Sequence, residues 1–479
     1  MARLLLHPPR PPGHRRLSHA RLAQRPCCGS ADLRKKDRAV QITFRYPGIP
    51  PVDVPSRNLL GQFQPKEAPP GPPVDALVQR ALAAPIGSPP LSALVRAGQR
   101  VLILVDDYTR PTPAASLLPP VLAELQAAGV RPGDIRLLVA SGTHRAMSDA
   151  ELARKLGTEV MRGYRVEQHR WREEAQLAHL GETSGGIPIV VDRRLPDADL
   201  VIGVGHIVPH RILGYSGGAK IVEPGVAGPA ASTKEIHWLA AQVPGRDILG
   251  IADNPVRRQV DEIGRRAGLR FIVNAIQGTD GRVSHIFAGD PVAAHRQGTG
   301  ASRQVYGVEL PAFADIVMTD SYPADVDYWQ AAKAVYATEL AVRPGGVVIV
   351  VTPCPEGVSA EHPVVLQRGV QPLAEMRRLV ESGEITDIIG GAIMALTAWV
   401  VKERATGIMV SPGIAPADQR KLGFLPASTP QEALDEAFRL AGRDARVVVM
   451  KHGGEILPLV AGQPVPEYAA VARAMGEPA

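Results

Sequence analysis

Three stretches of the chain each hold a short apolar run that leads into polar or charged residues: RVLILVDD (Arg100–Asp107), IRLLVASGTHR (Ile135–Arg145) and ADLVIGVGHI (Ala198–Ile207). Runs of this kind, short and not alternating, predict strands covered on both faces, as in a parallel sheet. A helical pattern follows TRPTP and runs to about Ala128, and Ser148 with Glu151 has capping-box spacing for the next helix. FIVNAIQGTDGRVSHIFAGD (Phe271–Asp290) predicts an antiparallel hairpin around Gly278–Gly281, followed by a helical stretch from Pro291 to about Tyr306. A second series of strands is predicted at ADIVMTDS (Ala314–Ser321), GGVVIVVTP, TGIMVSP and ARVVVMKHG. Helices are expected near Tyr328–Ala341, Pro372–Ser382, Ile393–Glu403 and Pro430–Ala441. Asn58 to Pro90 reads as Pro-rich and irregular, apart from a short helical pattern at Asp75–Ala84.

The expected fold class is α/β: two α/β domains with mainly parallel sheets and an active-site cleft between them. Residues 1–38 read as a basic disordered extension, 39–305 as an N-terminal α/β domain that would bind a cofactor, and 306–479 as a C-terminal α/β domain. In open α/β sheets ligands bind beyond the carboxyl ends of the strands. The loops after the first three strands are therefore expected to converge.

Charge changes this picture little. The chain carries 54 basic and 48 acidic residues, a net of +6. Ten basic and two acidic residues lie in Met1–Arg38, which leaves 44 basic and 46 acidic in the remainder. The basic balance belongs to the extension, and aromatic residues are only 4%, so a nucleic-acid partner is not expected. Cys27 and Cys28 lie in the extension and Cys354 alone in the body, which suits a reducing, cytoplasmic setting without disulfides. Cys354 reads as a packed thiol rather than a metal ligand. No apolar stretch is long enough to predict a membrane span.

The chemistry concentrates in GHIVPHRILGYSGGAKIVEPG (Gly205–Gly225) and STKEIHW up to Trp238. Glycines at a bend let backbone approach a ligand and leave N–H groups to meet an anion. Lys220 just beyond the bend could bind phosphate or act as a nucleophile, and the imidazoles of His206, His210 and His237 could bind metal or move protons. An NTPase phosphate loop needs GxxxxGK[ST]; here Lys220 is preceded by Ala219 and followed by Ile221, so that reading fails. His144, taken alone, could equally be a loop histidine capping backbone groups. Arg110 beside Asp106 and Asp107 could bind a carboxylate through its planar fork or form a structural pair with an aspartate. Gln330 and Lys333, three apart, share a helix face.

Together with DDYTRPTP (Asp106–Pro113), SGTHRAMS (Ser141–Ser148) and YWQAAKA (Tyr328–Ala334), the central segment resembles the nickel-dependent lactate racemase family. The resemblance implies a racemase or epimerase of a small 2-hydroxy acid, working by reversible hydride transfer with two histidine bases, His144 and His210. Removing the C2 hydrogen as hydride needs an electron sink, and side chains supply none. No GxGxxG follows a strand, which argues against a nicotinamide dinucleotide. The family's cofactor is nickel held in a nickel pincer nucleotide, a pyridinium-3,5-bisthiocarboxylic acid mononucleotide made by dedicated cofactor-building enzymes. By the resemblance Lys220, Asp107, Thr109, Gly217 and Gly218 hold that cofactor, covalently or not in the case of Lys220, and His237 binds nickel. Arg110, Gln330 and Lys333 would meet the substrate, His206 is a supporting or purely structural residue, and Trp399 is a candidate near the site. A sugar-acid 2-epimerase and a non-catalytic nickel-nucleotide carrier remain as alternatives; a carrier would not need the histidine pair.

Overall fold

The computed structural model describes residues 38–463. The basic extension, with Cys27 and Cys28, lies outside them save for Arg38. The fold is α/β, with two six-stranded sheets that are mainly parallel. In the first, the strand order across the sheet is Val283–Gly289, Leu269–Gln277, Leu200–His206, Val101–Asp106, Ile135–Ala140 and Arg165–Gln168. Neighbours run parallel, except that the predicted hairpin closes one edge antiparallel. The chain starts at the centre with Val101–Asp106, builds outward to Arg165–Gln168, then returns to build the other side from Leu200–His206. The order reverses between those two central strands, and such a reversal opens a crevice at their carboxyl ends that no crossover connection covers. Every residue of both strands is buried, as continuous apolar runs require.

The second sheet orders Phe424–Pro426, Ala405–Val410, Val342–Val351, Ala314–Asp320, Val447–Met450 and Leu59–Phe63, all parallel. Its own reversal lies between Ala314–Asp320 and Val447–Met450. The helix Tyr328–Thr338 leaves from there.

Alternate residues of each central strand feed opposite faces. In the first sheet Ile103, Val105, Leu137 and Val139 pack outward under the helix Ala114–Ala127. Leu102, Leu104 and Leu138 turn the other way and join one apolar cluster with Val317, Val348 and Val350 of the second sheet. The helices Lys234–Ala241, Tyr328–Thr338 and Ile388–Ala398 contribute Ile236, Val335 and Leu396 to that shared core. The two layers are thus joined by common apolar packing, and the polar cleft opens beside it.

Most predicted elements are present, including the Ser148–Glu151 capping box on the helix Asp149–Leu156. Two differ. The predicted helix at Ile393–Glu403 spans Ile388–Ala398 and then widens into a π turn, Trp399–Arg404. Leu59–Phe63, read as irregular, is an edge strand of the second sheet. It is short, partly exposed and carries Gly61, so it shows neither alternation nor a continuous apolar run. The strands Ala39–Ile42 and Val52–Pro55 also pack with the second sheet, through Ile42, Val52 and Val54. The second layer is therefore built from two separated segments, and not from residues 306 onward alone.

Asn58 fastens that returning segment: its buried amide donates to Arg443 O and Ala445 O, both at 2.9 Å. Asn58→Ala strands two carbonyls away from water, and unfolding in urea is expected to show a loss of about 1–3 kcal/mol.

Candidate active site

Strand register sets the site. Asp106 lies opposite Ala140, and His206 opposite Ala275, so the loops after Val101–Asp106, Ile135–Ala140 and Leu200–His206 leave one edge side by side. Asp106 and Asp107 are both buried at that edge. Lys155, from the capped helix Asp149–Leu156, places Nζ 2.7 Å from Asp106 Oδ1 and donates to Arg110 O at 2.8 Å. The Thr112 hydroxyl donates to Asp106 Oδ2 at 2.5 Å and accepts from His206 Nδ1 at 2.8 Å. Burial works to raise the Asp106 carboxyl, but Lys155 and His206 outweigh it and hold it at about 2.

Asp107 carries the next layer. Its Oδ1 accepts from the backbone N–H and hydroxyl of Thr109, at 3.1 and 2.6 Å, and its Oδ2 lies 2.6 Å from His144 Nδ1. Burial opposes the charge on Asp107, and His144, Arg110 and Thr109 keep it ionised. His144 Nε2 meets Gln330 Nε2 at 2.9 Å, while Gln330 Oε1 accepts from Arg110 Nη1 at 2.9 Å and Lys333 Nζ at 2.6 Å. Arginine and lysine only donate, so the amide oxygen faces them and its NH₂ faces the imidazole. That fixes the tautomer: Nδ1–H points at Asp107, and the lone pair on Nε2 accepts from the Gln330 amide at the cleft wall.

The central segment forms the opposite wall. His210, Lys220 and His237 line the same cleft as Asp107, Arg110, His144, Gln330 and Lys333, with Gly217 at the bend. His210 is held in rotation by Ile212 N–H on Nδ1 at 3.3 Å. Burial, together with the charges of Lys220, Lys333 and Arg110, pushes it well below the usual imidazole value. Burial and Arg110 likewise bring the Lys220 amine down to about 7. His237 directs Nδ1 at Thr233 O, 2.9 Å away, so its neutral ring keeps Nε2 unprotonated; burial holds it at about 4. Trp329 and Ile393 supply apolar cover. Arg110, two lysine amines lowered by burial and two imidazoles held neutral by burial face one cleft and make it a receptor for a small anion with a transferable proton.

Among the predicted residues, Thr109 and Gly218 stand just behind the cleft and not in its lining. Thr109 braces Asp107, and Gly218 N–H donates to Asn274 Oδ1 at 2.8 Å. Trp399 is not in that lining: its indole donates to Ala241 O at 3.2 Å, on the helix that carries His237. Cys354 is a buried thiol 3.2 Å from Thr352 Oγ1. Sequence reading missed Lys155, which bears nothing but helix spacing to mark it. It also missed Glu455, half-buried after the strand Val447–Met450 and raised to about 7 by loss of solvent, with Lys333 and Arg110 pulling against that rise. No helix among the described residues is long and apolar enough to cross a membrane.

The comparison with known proteins agrees in both halves of the chain. The lactate racemase N-terminal domain matches residues 48–244 and the lactate racemase C-terminal domain matches residues 310–457. A lactate racemase of Lactiplantibacillus plantarum is 28% identical over 381 residues, 78% of this chain and 89% of that protein. One from Thermoanaerobacterium thermosaccharolyticum is 29% identical over 287 residues, 60% of this chain and 67% of that protein. The solved lactate racemase apoprotein of Thermoanaerobacterium thermosaccharolyticum superimposes with a TM-score of 0.77 at 25% identity, covering 88% of this chain and all of that one. With both domain matches in order and the fold shared over 88% of its length, this chain belongs to the lactate racemase family of isomerases.

Proposed function

We propose that this chain racemises or epimerises a small 2-hydroxy acid, lactate being the reference substrate, by reversible hydride transfer to a nickel pincer nucleotide. The observation that carries the reading is His144, oriented by Asp107 with its Nε2 lone pair on the Gln330 amide, in the wall of a cleft that also holds Arg110, Lys333 and the second imidazole of His210.

The donor set fits the proposed cofactor. Among the described residues no group of three or more His, Cys, Asp or Glu is arranged to hold a metal ion, so a bare ion would be poorly ligated here. One imidazole, His237, offers a free Nε2 to the cleft, which suits nickel whose other donors come from an organic group. Lys220, neutral at mildly basic pH, and Gly217 at the bend would hold the nucleotide, with Asp107 and Thr109 bracing its neighbourhood. When bound, the group supplies the two-electron acceptor that side chains lack.

The chain's own residues do the remaining work. Arg110 and Lys333 take the substrate carboxylate, replacing the Gln330 oxygen they now hold, and Gln330 turns to the substrate oxygen. His144 Nε2 accepts the hydroxyl proton of one enantiomer, and Asp107 stabilises the imidazolium that results. His210, on the opposite wall, would serve the mirror-image hydroxyl once its ring proton moves to Nδ1, which now accepts from Ile212 N–H at 3.3 Å, leaving the lone pair on Nε2. Trp329 and Ile393 keep water from the transfer.

In cofactor-loaded protein, His144→Ala and His210→Ala should each lower racemisation of lactate by at least about 100-fold, followed by optical rotation. Unchanged rates in both variants would remove the two-base reading. Lys333→Met should raise KM by about 10–100-fold, the worth of one charge-assisted hydrogen bond of about 1.5–3 kcal/mol. In the cofactor-free protein, amine-selective labelling of Lys220, mapped by mass spectrometry, should reach half its limiting rate at about pH 7, because only the neutral amine reacts. Half-maximal labelling near the ordinary lysine value would show an amine free in solvent.

A further inference from the structure

We infer that Arg257 is a positioning residue for Lys220: it locks the bend Tyr215–Gly218 from behind and sets a fixed, water-excluded positive charge beneath the cleft. Arg257 is fully buried, on the helix Pro255–Arg266. Its Nη1 donates to Tyr215 O at 3.2 Å and its Nη2 to Gly217 O at 3.0 Å, while Nε donates to Asp261 at 2.9 Å. The carbonyl between them, Ser216 O, is taken by His295 Nε2 at 2.9 Å. Arg296 Nη1 meets His295 Nδ1 at 3.2 Å, so His295 must donate through Nε2, and burial keeps that ring neutral. Three successive carbonyls are therefore turned away from the cleft.

The consequences lie on the other side of the bend. Of the N–H groups pointing oppositely, Ser216 donates to Val208 O and Gly218 to Asn274 Oδ1, each at 2.8 Å. Gly217 N–H has no hydrogen-bond partner among the described residues, and Gly217 lines the cleft. An N–H left over above a buried guanidinium, with Lys220 three residues on, is a seat for an anionic group of phosphate or carboxylate type. Gly218 must be glycine here, because a Cβ would collide with the Arg257 guanidinium. Lysine could not replace Arg257, since a point charge cannot reach two carbonyls and a carboxylate at once.

The charge is only partly cancelled. Asp261 is shared by Arg257 and Arg296, at 2.9 and 3.0 Å, and Asp253 is shared by Arg296 and Arg258 nearer the surface. Arg257 is among the cations that hold the Lys220 amine low, behind burial and Arg110, against Asp107 and Asp106.

The inference deepens the reading of Lys220 as a cofactor-holding residue, but its test needs no cofactor. Full-length protein is labelled with an amine-selective reagent across pH, and Lys220 is quantified at the peptide level. Arg257→Met removes a cation, so the Lys220 midpoint should move up by about half a pH unit or more, lowering its labelling at pH 6.5 about threefold. Asp261→Asn removes the compensating carboxylate, so the midpoint should move down. His295→Leu removes a carbonyl anchor without a charge and should leave the midpoint in place. Opposite shifts in the first two variants are what local disruption alone does not produce. Should Arg257→Met fail to fold, by circular dichroism, the downward shift in Asp261→Asn decides alone. A midpoint that stays or rises in Asp261→Asn overturns the inference, and one unmoved in folded Arg257→Met does the same. Loss of racemisation in the histidine variants bears on the catalytic reading and not on Arg257.

Discussion

Two adjacent buried carboxylates, Asp106 and Asp107, must both stay ionised at the carboxyl edge of the first sheet, and the cost of that has shaped the surroundings. A buried charge survives only with close donors. Asp106 recruits Lys155 from the helix Asp149–Leu156, Thr112 from its own loop, and His206 from the neighbouring strand across the reversal in strand order. Asp107 recruits Thr109 and His144. Three loops that are distant in sequence are thereby drawn to one point, and one imidazole is oriented as a consequence.

The second layer meets that point with its own switch-point elements. The helix Tyr328–Thr338 brings Gln330 and Lys333, and the loop after Val447–Met450 brings Glu455. Gln330 links the layers directly, with Arg110 on its oxygen and His144 on its nitrogen. Elsewhere around the cleft the link is repeated: His362 reaches Thr143 at 3.1 Å and stacks on Trp329 with ring centres 4.1 Å apart, and Arg145 pairs with Glu356 at 2.9 Å. The cleft is thus assembled by polar contacts between layers, over a core they share.

What the sequence discloses follows the range of the interactions. Buried parallel strands write themselves as continuous apolar runs, so Val101–Asp106, Ile135–Ala140 and Leu200–His206 were legible, and with them the loops that follow. The capping box at Ser148 and the hairpin at Gly278–Gly281 are local and were legible too. Leu59–Phe63 was hidden because its partner, Val447–Met450, lies almost at the other end of the chain. Lys155, Arg257 and Glu455 were hidden for the same reason: each looks like an ordinary charged residue until its distant partner is known. Trp399, also singled out, fastens Ala241 at the end of the helix that carries His237 and does not itself line the cleft.

Whether the C2 hydrogen travels as hydride is decided most directly by its fate. Cofactor-loaded protein is given lactate deuterated at C2 in ordinary water, and the opposite enantiomer is isolated early in the reaction. Hydride storage within the cleft predicts that the product keeps deuterium at C2, while the hydroxyl proton alone exchanges through His144 and His210. Product that carries solvent hydrogen at C2 would mean removal as a proton, and would contradict the account.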